Sequence, residues 1–167
     1  TLGIVTRMIL RIIPAPEAVK TMLAVYESIE EAVNTVSAVI AEGIVPATLE
    51  MMDNLVIRAV EESGHAGYPL DAAAVLIIEL DGLKDGMERQ ADKILEVCER
   101  HHVREVRVAK SATERAELWA GRKGAFGAVA RLRPNYLVCD GTVPRTRLPK
   151  VLKRVMEVGR KYDLPIG

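Results

Sequence analysis

The grouping in this chain best suited to chemistry is an arginine set among apolar residues. In the stretch Ser111–Arg133, SATERAELWAGRKGAFGAVARLR, Leu118 and Trp119 lie one helical turn before Arg122 and Phe126 lies one turn after it. At helical spacing the guanidinium therefore falls within an otherwise apolar stripe. A charge so placed needs a partner. Two uses fit it: the stem folds over Trp119 with its head in water, or the guanidinium is a fixed bidentate fork for an anionic ligand, a carboxylate or a phosphate. Gly121, Gly124 and Gly127 recur every third residue along a neighbouring face. Because each costs a helix roughly 1 kcal/mol relative to alanine, the spacing predicts that another group closely approaches this backbone.

A second stretch, Asp140-Gly-Thr-Val-Pro-Arg145-Thr-Arg147-Leu-Pro149, sets Thr142 and two arginines just after a strand-like run, where ligand clefts often open. Asp140-Gly141 is equally good turn chemistry with solvated arginines beyond it. Both readings stand at this level. Other chemistries lack their residues. Cys98 and Cys139 are far apart, there is no CxxC or HExxH, and His101 and His102, adjacent, would point about 100° apart on a helix. They read as surface residues at a helix end. No Walker sequence, no GxGxxG and no nucleophile triad is present, His65 reading as a loop residue and Ser111 as a cap.

The elements that must position these residues follow from periodicity. Gly3–Ile13 is β-rich and closed by Pro14 and Pro16, which predicts a terminal strand and a linker. Thr21–Tyr26 is a second strand, and Ser28 with Glu31 forms a capping box opening a helix that Gly43 stops. Val45–Met52 reads as a strand, Asp53–Glu62 as a short helix, and Ala73–Leu80, AAVLIIEL, as the strongest strand, buried on both faces or nearly so. Asp85–Arg100 is helical and Val103–Ala109 alternates as a strand. The helix opened by Ser111 and Glu114 comes next, then a strand over Asn135–Val143 and an amphipathic helix over Leu148–Lys161. The order predicts an α+β fold: a ferredoxin-like split β-α-β antiparallel sheet with helices on one face, plus a flanking strand and C-terminal helices.

Composition bounds the function. The 167 residues, 49% hydrophobic with mean hydropathy +0.11, are enough for a packed core. Lys and Arg number 23 and so do Asp and Glu, so no net field favours nucleic acid or an acidic membrane. One Phe and one Trp leave little for base stacking. Two cysteines read as buried thiols of an intracellular, cytoplasmic protein more readily than as a disulfide. The longest apolar runs, such as Ala72–Ile78, fall far short of the roughly 20 residues of a spanning helix. The ends, Thr1-Leu-Gly-Ile-Val-Thr without an initial Met and Leu164-Pro-Ile-Gly167, read as those of a piece of a longer polypeptide.

Thr1-Leu-Gly-Ile-Val-Thr6, Leu118-Trp-Ala-Gly-Arg-Lys-Gly-Ala-Phe126 and Asp140-Gly-Thr-Val-Pro-Arg145 before Leu148-Pro together resemble, in order and over essentially the whole chain, the FAD-linked oxidase family. These flavoproteins carry a flavin domain of the vanillyl-alcohol-oxidase type, and the resemblance is to the branch of glycolate oxidases and D-lactate dehydrogenases. It implies that residues 1–16 are the trailing strand of the FAD-binding domain and a linker, with Thr1, Leu2, Gly3 and Ile4 against FAD. Glycine there suits backbone that meets a cofactor without a Cβ. Residues 17–167 would be the cap or substrate domain, short of its last segment.

By the same resemblance Arg122 is the substrate-carboxylate arginine, with Arg145, Lys123 and Thr142 as secondary contacts. The parent would oxidise a small 2-hydroxy acid, glycolate or D-lactate, by hydride transfer to flavin. Relatives acting on dicarboxylate hydroxy acids carry a threonine and a lysine near the positions of Phe126 and Val138, so the apolar residues here argue against a second substrate carboxylate. The histidine-rich segment that gives the family its metal ligands and base has no counterpart in this chain, so neither a catalytic residue nor a divalent-metal ligand is expected within it. Other oxidase subunits or an electron acceptor are the implied partners. The isolated piece is expected to hold no FAD and to be inactive. A different class of reading is a stand-alone ferredoxin-like module that binds a small ligand or forms a homo-oligomer through an apolar sheet edge.

Overall fold

Hydrophobic period and capping chemistry build the elements in order. In a computed structural model, which describes residues 3–64 and 66–167, the chain forms β1 (Ala18–Tyr26), α1 (Ile29–Ala41), β2 (Thr48–Asp53), α2 (Asn54–Gly64), β3 (Ala74–Gly82), α3 (Met87–Arg100), β4 (Glu105–Val108), α4 (Ala112–Val129) and α5 (Leu148–Lys161). Thr1, Leu2 and His65 lie outside the described residues. The Ser28 hydroxyl accepts the Glu31 N–H at 3.5 Å to start α1, and Gly43, at φ +79°, follows its end in the left-handed conformation that glycine adopts cheaply. Asp53 starts α2 in the same way, its Oδ1 accepting the Val56 N–H at 3.0 Å, and burial pushes its carboxyl upward.

The four strands pair antiparallel in the order β2-β3-β1-β4, the ferredoxin-like arrangement. Because side chains alternate across a strand, the two central strands feed two cores. Met22, Ala24, Tyr26, Leu76, Ile78 and Leu80 meet α1 and α3 on one face. Leu23, Val25, Val75 and Ile77 meet α2 and α4 on the other. The helices of the split β-α-β unit, α1 and α3, thus share one face as expected, and α2 and α4, outside that unit, cover the opposite face. This double cover explains the unbroken apolar run of β3. Each fully buried Leu or Ile there contributes about 1.5–3 kcal/mol, so a polar residue at Ile77 would disrupt the second core.

Two expected strands do not form. Residues 3–16 and 135–143 carry no strand assignment, and most of their apolar side chains are exposed, Ile9 at 97% and Leu137 at 86%. A strand needs a neighbour to complete its ladder, and among the described residues neither segment has one. The reading of Cys139 as a core thiol is corrected for the same reason: without a sheet to receive it, Cys139 is exposed, while Cys98 is buried as expected. His101 ends α3 partly buried, with Nδ1 3.3 Å from Glu31 Oε2.

Candidate functional site

Helix α4 carries the site, and its first turn is fixed by local chemistry. The Ser111 hydroxyl accepts the Glu114 N–H at 3.1 Å, and Glu114 Oε2 accepts the Lys110 N–H at 2.7 Å. Gly121, Ala125 and Ala128, all buried, face the sheet side and let the helix lie close to it. The close approach that the glycines foretold is made by Tyr68. A Cβ on Gly121 would stand 2.7 Å from both Cζ and the hydroxyl oxygen of Tyr68, and closer still to Cε2. The Tyr68 hydroxyl donates to the Leu118 carbonyl. Burial pushes the phenol up to about 12, offset in part by the Arg122 backbone N–H and charge, so it stays a neutral donor. Gly124 and Gly127 are different: a Cβ on either would meet nothing within 4 Å, and both lie on the exposed face with Lys123 and Phe126.

Two arginines seven residues apart, two turns on one helical face, reach down from α4 to carboxylates on the sheet. Arg115 grips Glu79 of β3 bidentately, Nε to Oε2 and Nη2 to Oε1, both at 2.8 Å. Trp119 Nε1 donates to the same Glu79 Oε2 at 2.8 Å, and the Thr21 hydroxyl donates to it as well, at 2.6 Å. Glu79 is only 7% exposed, and the Arg115 fork, against the opposing effect of burial, holds its carboxyl down at about 2.

Arg122 makes a sparser contact. Its Nε donates to Glu50 Oε2 of β2 at 2.9 Å, with side-chain exposures of 31% and 37% for the pair. Among the described residues its Nη1 and Nη2 donate no hydrogen bond. The partner that an arginine in an apolar stripe requires is therefore an acid of the edge strand, Glu50. Register explains the meeting. Glu50 pairs with Ile77 and Thr48 with Glu79, cross-strand partners point to the same face, and Ile77 belongs to the core under α4.

Sequence reasoning missed Glu79, Arg115, Glu50 and Tyr68. A signal existed for the first: Glu79 is the lone carboxylate in AAVLIIEL, a charge in the chain's most apolar strand. The other predicted residues are not gathered around Arg122. Lys123 is exposed on α4, Thr142 lies in the exposed segment before α5, and Arg145 opens an exposed 3-10 turn, Arg145–Arg147. No hydrogen bond or ion pair among the described residues joins them to Arg122. Gly3 and Ile4 lie exposed in a leading segment without regular secondary structure.

With this geometry the chain matches, over residues 15–167, the family described as FAD linked oxidases, C-terminal domain. The chain belongs to that family. It is similar to glycolate oxidase subunit GlcD of Escherichia coli K12, at 42% identity over 99% of this chain and 33% of the relative, and to that of Bacillus subtilis, at 40% over 99% and 35%. A D-lactate dehydrogenase of Anaerostipes hadrus is 28% identical over 99% of this chain and 36% of its own. The chain thus spans about a third of the length of these curated relatives. Among solved structures, alkyldihydroxyacetonephosphate synthase superposes with a TM-score of 0.67 at 13% identity, covering 88% of this chain and 32% of that one, a likeness of fold.

As an FAD linked oxidase C-terminal domain the chain can be tested for a flavin site. Gly3 is exposed with open space where a Cβ would stand, so the described residues of the leading segment form no enclosure for a flavin. Two open clefts, of about 320 and 180 Å³, are lined by residues such as Arg133, Met156 and Arg160, and Ala59, Glu62 and Arg131; neither includes Arg122, Lys123, Thr142 or Arg145. Among the described residues no three His, Cys, Asp or Glu side chains cluster to hold a metal ion, and no helix is long and apolar enough to cross a membrane.

Proposed function

We propose that this chain is the substrate-side cap of a cytoplasmic FAD-dependent oxidoreductase that oxidises a small 2-hydroxy acid, glycolate or D-lactate. The single observation that carries the reading is the state of Arg122: a half-buried guanidinium pinned through Nε, whose Nη1 and Nη2 have no hydrogen-bond partner among the described residues. Two parallel N–H donors on one edge of a planar cation match the two oxygens of a carboxylate. Arg122 so placed fixes the acid end and leaves the 2-carbon one bond away, so orientation is set before chemistry begins. Bound flavin supplies the acceptor for the hydrogen and electron pair leaving that carbon.

Within this chain the rest of the work is binding. Gly3 and Ile4 would contact the flavin when it is bound, and Lys123, Thr142 and Arg145 would ring the mouth of the site once the remainder of the polypeptide closes against α4. The base that takes the hydroxyl proton, and the ligands of any divalent metal, come from outside this chain. Phe126 and Val138, both apolar, favour a substrate with one carboxylate. Other oxidase subunits or an electron acceptor take the electrons onward. The GlcD and D-lactate dehydrogenase relatives, named for these two acids, support the substrate class.

The test is to express the full-length flavoprotein carrying this chain and screen 2-hydroxy acids for bleaching of the flavin band. Glycolate or D-lactate is expected to bleach it. In that enzyme Arg122→Ala is expected to raise KM by about 30-fold or more and to slow flavin reduction, since losing one partner of a charge-assisted pair costs about 2–5 kcal/mol. An unchanged KM would remove Arg122 from the site. The chain expressed alone is expected to show neither flavin absorbance nor turnover with a dye acceptor.

A further inference from the structure

We infer that Glu50 is a positioning residue: it aims the Arg122 guanidinium so that only its Nη1/Nη2 edge is presented to a substrate carboxylate. The inference rests on the reading of Arg122 given above and deepens it. A planar guanidinium offers a carboxylate two bidentate approaches, the side edge made by Nε and one Nη, and the end made by Nη1 and Nη2. Glu50 Oε2 occupies Nε at 2.9 Å, so the side edge is closed and the end remains. Arg115, two turns earlier, shows the contrast: its side edge is filled by both oxygens of Glu79.

Backbone geometry makes Glu50 a firm anchor. It sits within β2, paired to Ile77, on the face beneath α4, while Arg122 is fixed one residue beyond Gly121, where the Tyr68 ring lies against the helix. Both ends of the pair are thus held by regular structure. An unanchored arginine would sample many rotamers, and binding would have to freeze that freedom. The Nε contact removes part of that freedom in advance.

The experiment compares Glu50→Ala, Glu50→Gln and Arg122→Ala in the full-length flavoprotein, with glycolate or D-lactate as substrate and oxalate, titrated against the flavin spectrum, as a binding probe independent of turnover. Glu50→Ala is expected to raise KM and the oxalate dissociation constant by about 10-fold with kcat changed less than about threefold, because a freed fork loses aim. Glu50→Gln, whose amide oxygen still accepts from Nε, is expected to recover most of that loss, and melting temperatures report whether each variant is folded. If Arg122→Ala weakens both acids while Glu50→Ala leaves both constants unchanged, positioning by Glu50 is overturned and the carboxylate reading survives. If Arg122→Ala leaves both unchanged, the carboxylate reading itself fails and takes the inference with it. Should Glu50→Ala not fold, Glu50→Asp, whose shorter reach pulls Nε away, replaces it: a raised KM that Glu50→Gln lacks supports the inference, and parent-like constants overturn it.

Discussion

Two arginines on one helix, Arg115 and Arg122, face two acids on one side of the sheet, yet the two pairs are built differently. Glu79 accepts hydrogen bonds from Arg115, Trp119 and Thr21 and is almost fully buried. Its lone pairs are used, and with all partners in place a buried charge is tolerable. Glu50 accepts one hydrogen bond from Arg122 and remains partly in solvent. The first pair is closed and welds α4 to β1 and β3. The second is open and leaves donors for something else. What distinguishes a structural clamp from a candidate binding group here is how many hydrogen-bonding positions remain unfilled, since both pairs join the same residue types.

The comparison is sharpest in stability. Glu79→Ala leaves the Trp119 N–H and the Thr21 hydroxyl without their acceptor and is expected to destabilise the fold by about 3–4 kcal/mol, whereas Glu50→Ala, at a half-exposed pair, should cost less than about 1 kcal/mol. Urea unfolding of both variants measures the gap, and equal losses would erase the distinction drawn above. The same contrast appears on acidification. A carboxyl held below its unfolded value lends stability above that value and loses it as pH falls, so with Glu79 at about 2 against 4.5 the contribution is full above about pH 4.5 and fades toward pH 2. Fluorescence of the single Trp, Trp119, which bonds Glu79, reports this window. Glu79→Gln is expected to abolish the transition.

A smaller effect divides the glycines of α4. Gly121→Ala drives a methyl into the Tyr68 ring, which hydrogen-bonds the same helix, and is expected to cost about 1–3 kcal/mol. Gly124→Ala enters open space on an exposed helical face and should stabilise by about 1 kcal/mol. Thermal melting of the two variants decides it. A penalty at Gly124 in the full-length flavoprotein, absent from this chain alone, would locate a further surface against that face.

Much of the scaffold was legible because it is local or periodic. Ser28 and Ser111 cap the helices that their spacing to Glu31 and Glu114 predicted, and Ala73–Leu80 reads as doubly buried because both faces are covered. The exposed strand candidates failed for the opposite reason. Asn135–Val143 has strand composition, but composition supplies no ladder partner, and Cys139 and Leu137 remain exposed with it. Arg122 was legible as a charge out of place, while Glu50, 72 positions earlier in sequence, carried no mark of its own.

Sequence alone therefore determined the helices, the four paired strands, the ferredoxin-like order and the family, since helix period, strand alternation, caps and ordered motifs are properties of neighbouring residues. Only the tertiary structure decided which carboxylate meets which arginine, that Tyr68 fills the notch at Gly121, and that α2 and α4 roof the second face of the sheet. Those pairings depend on strand register and helix packing, which bring together residues whose separation along the chain carries no trace of their contact.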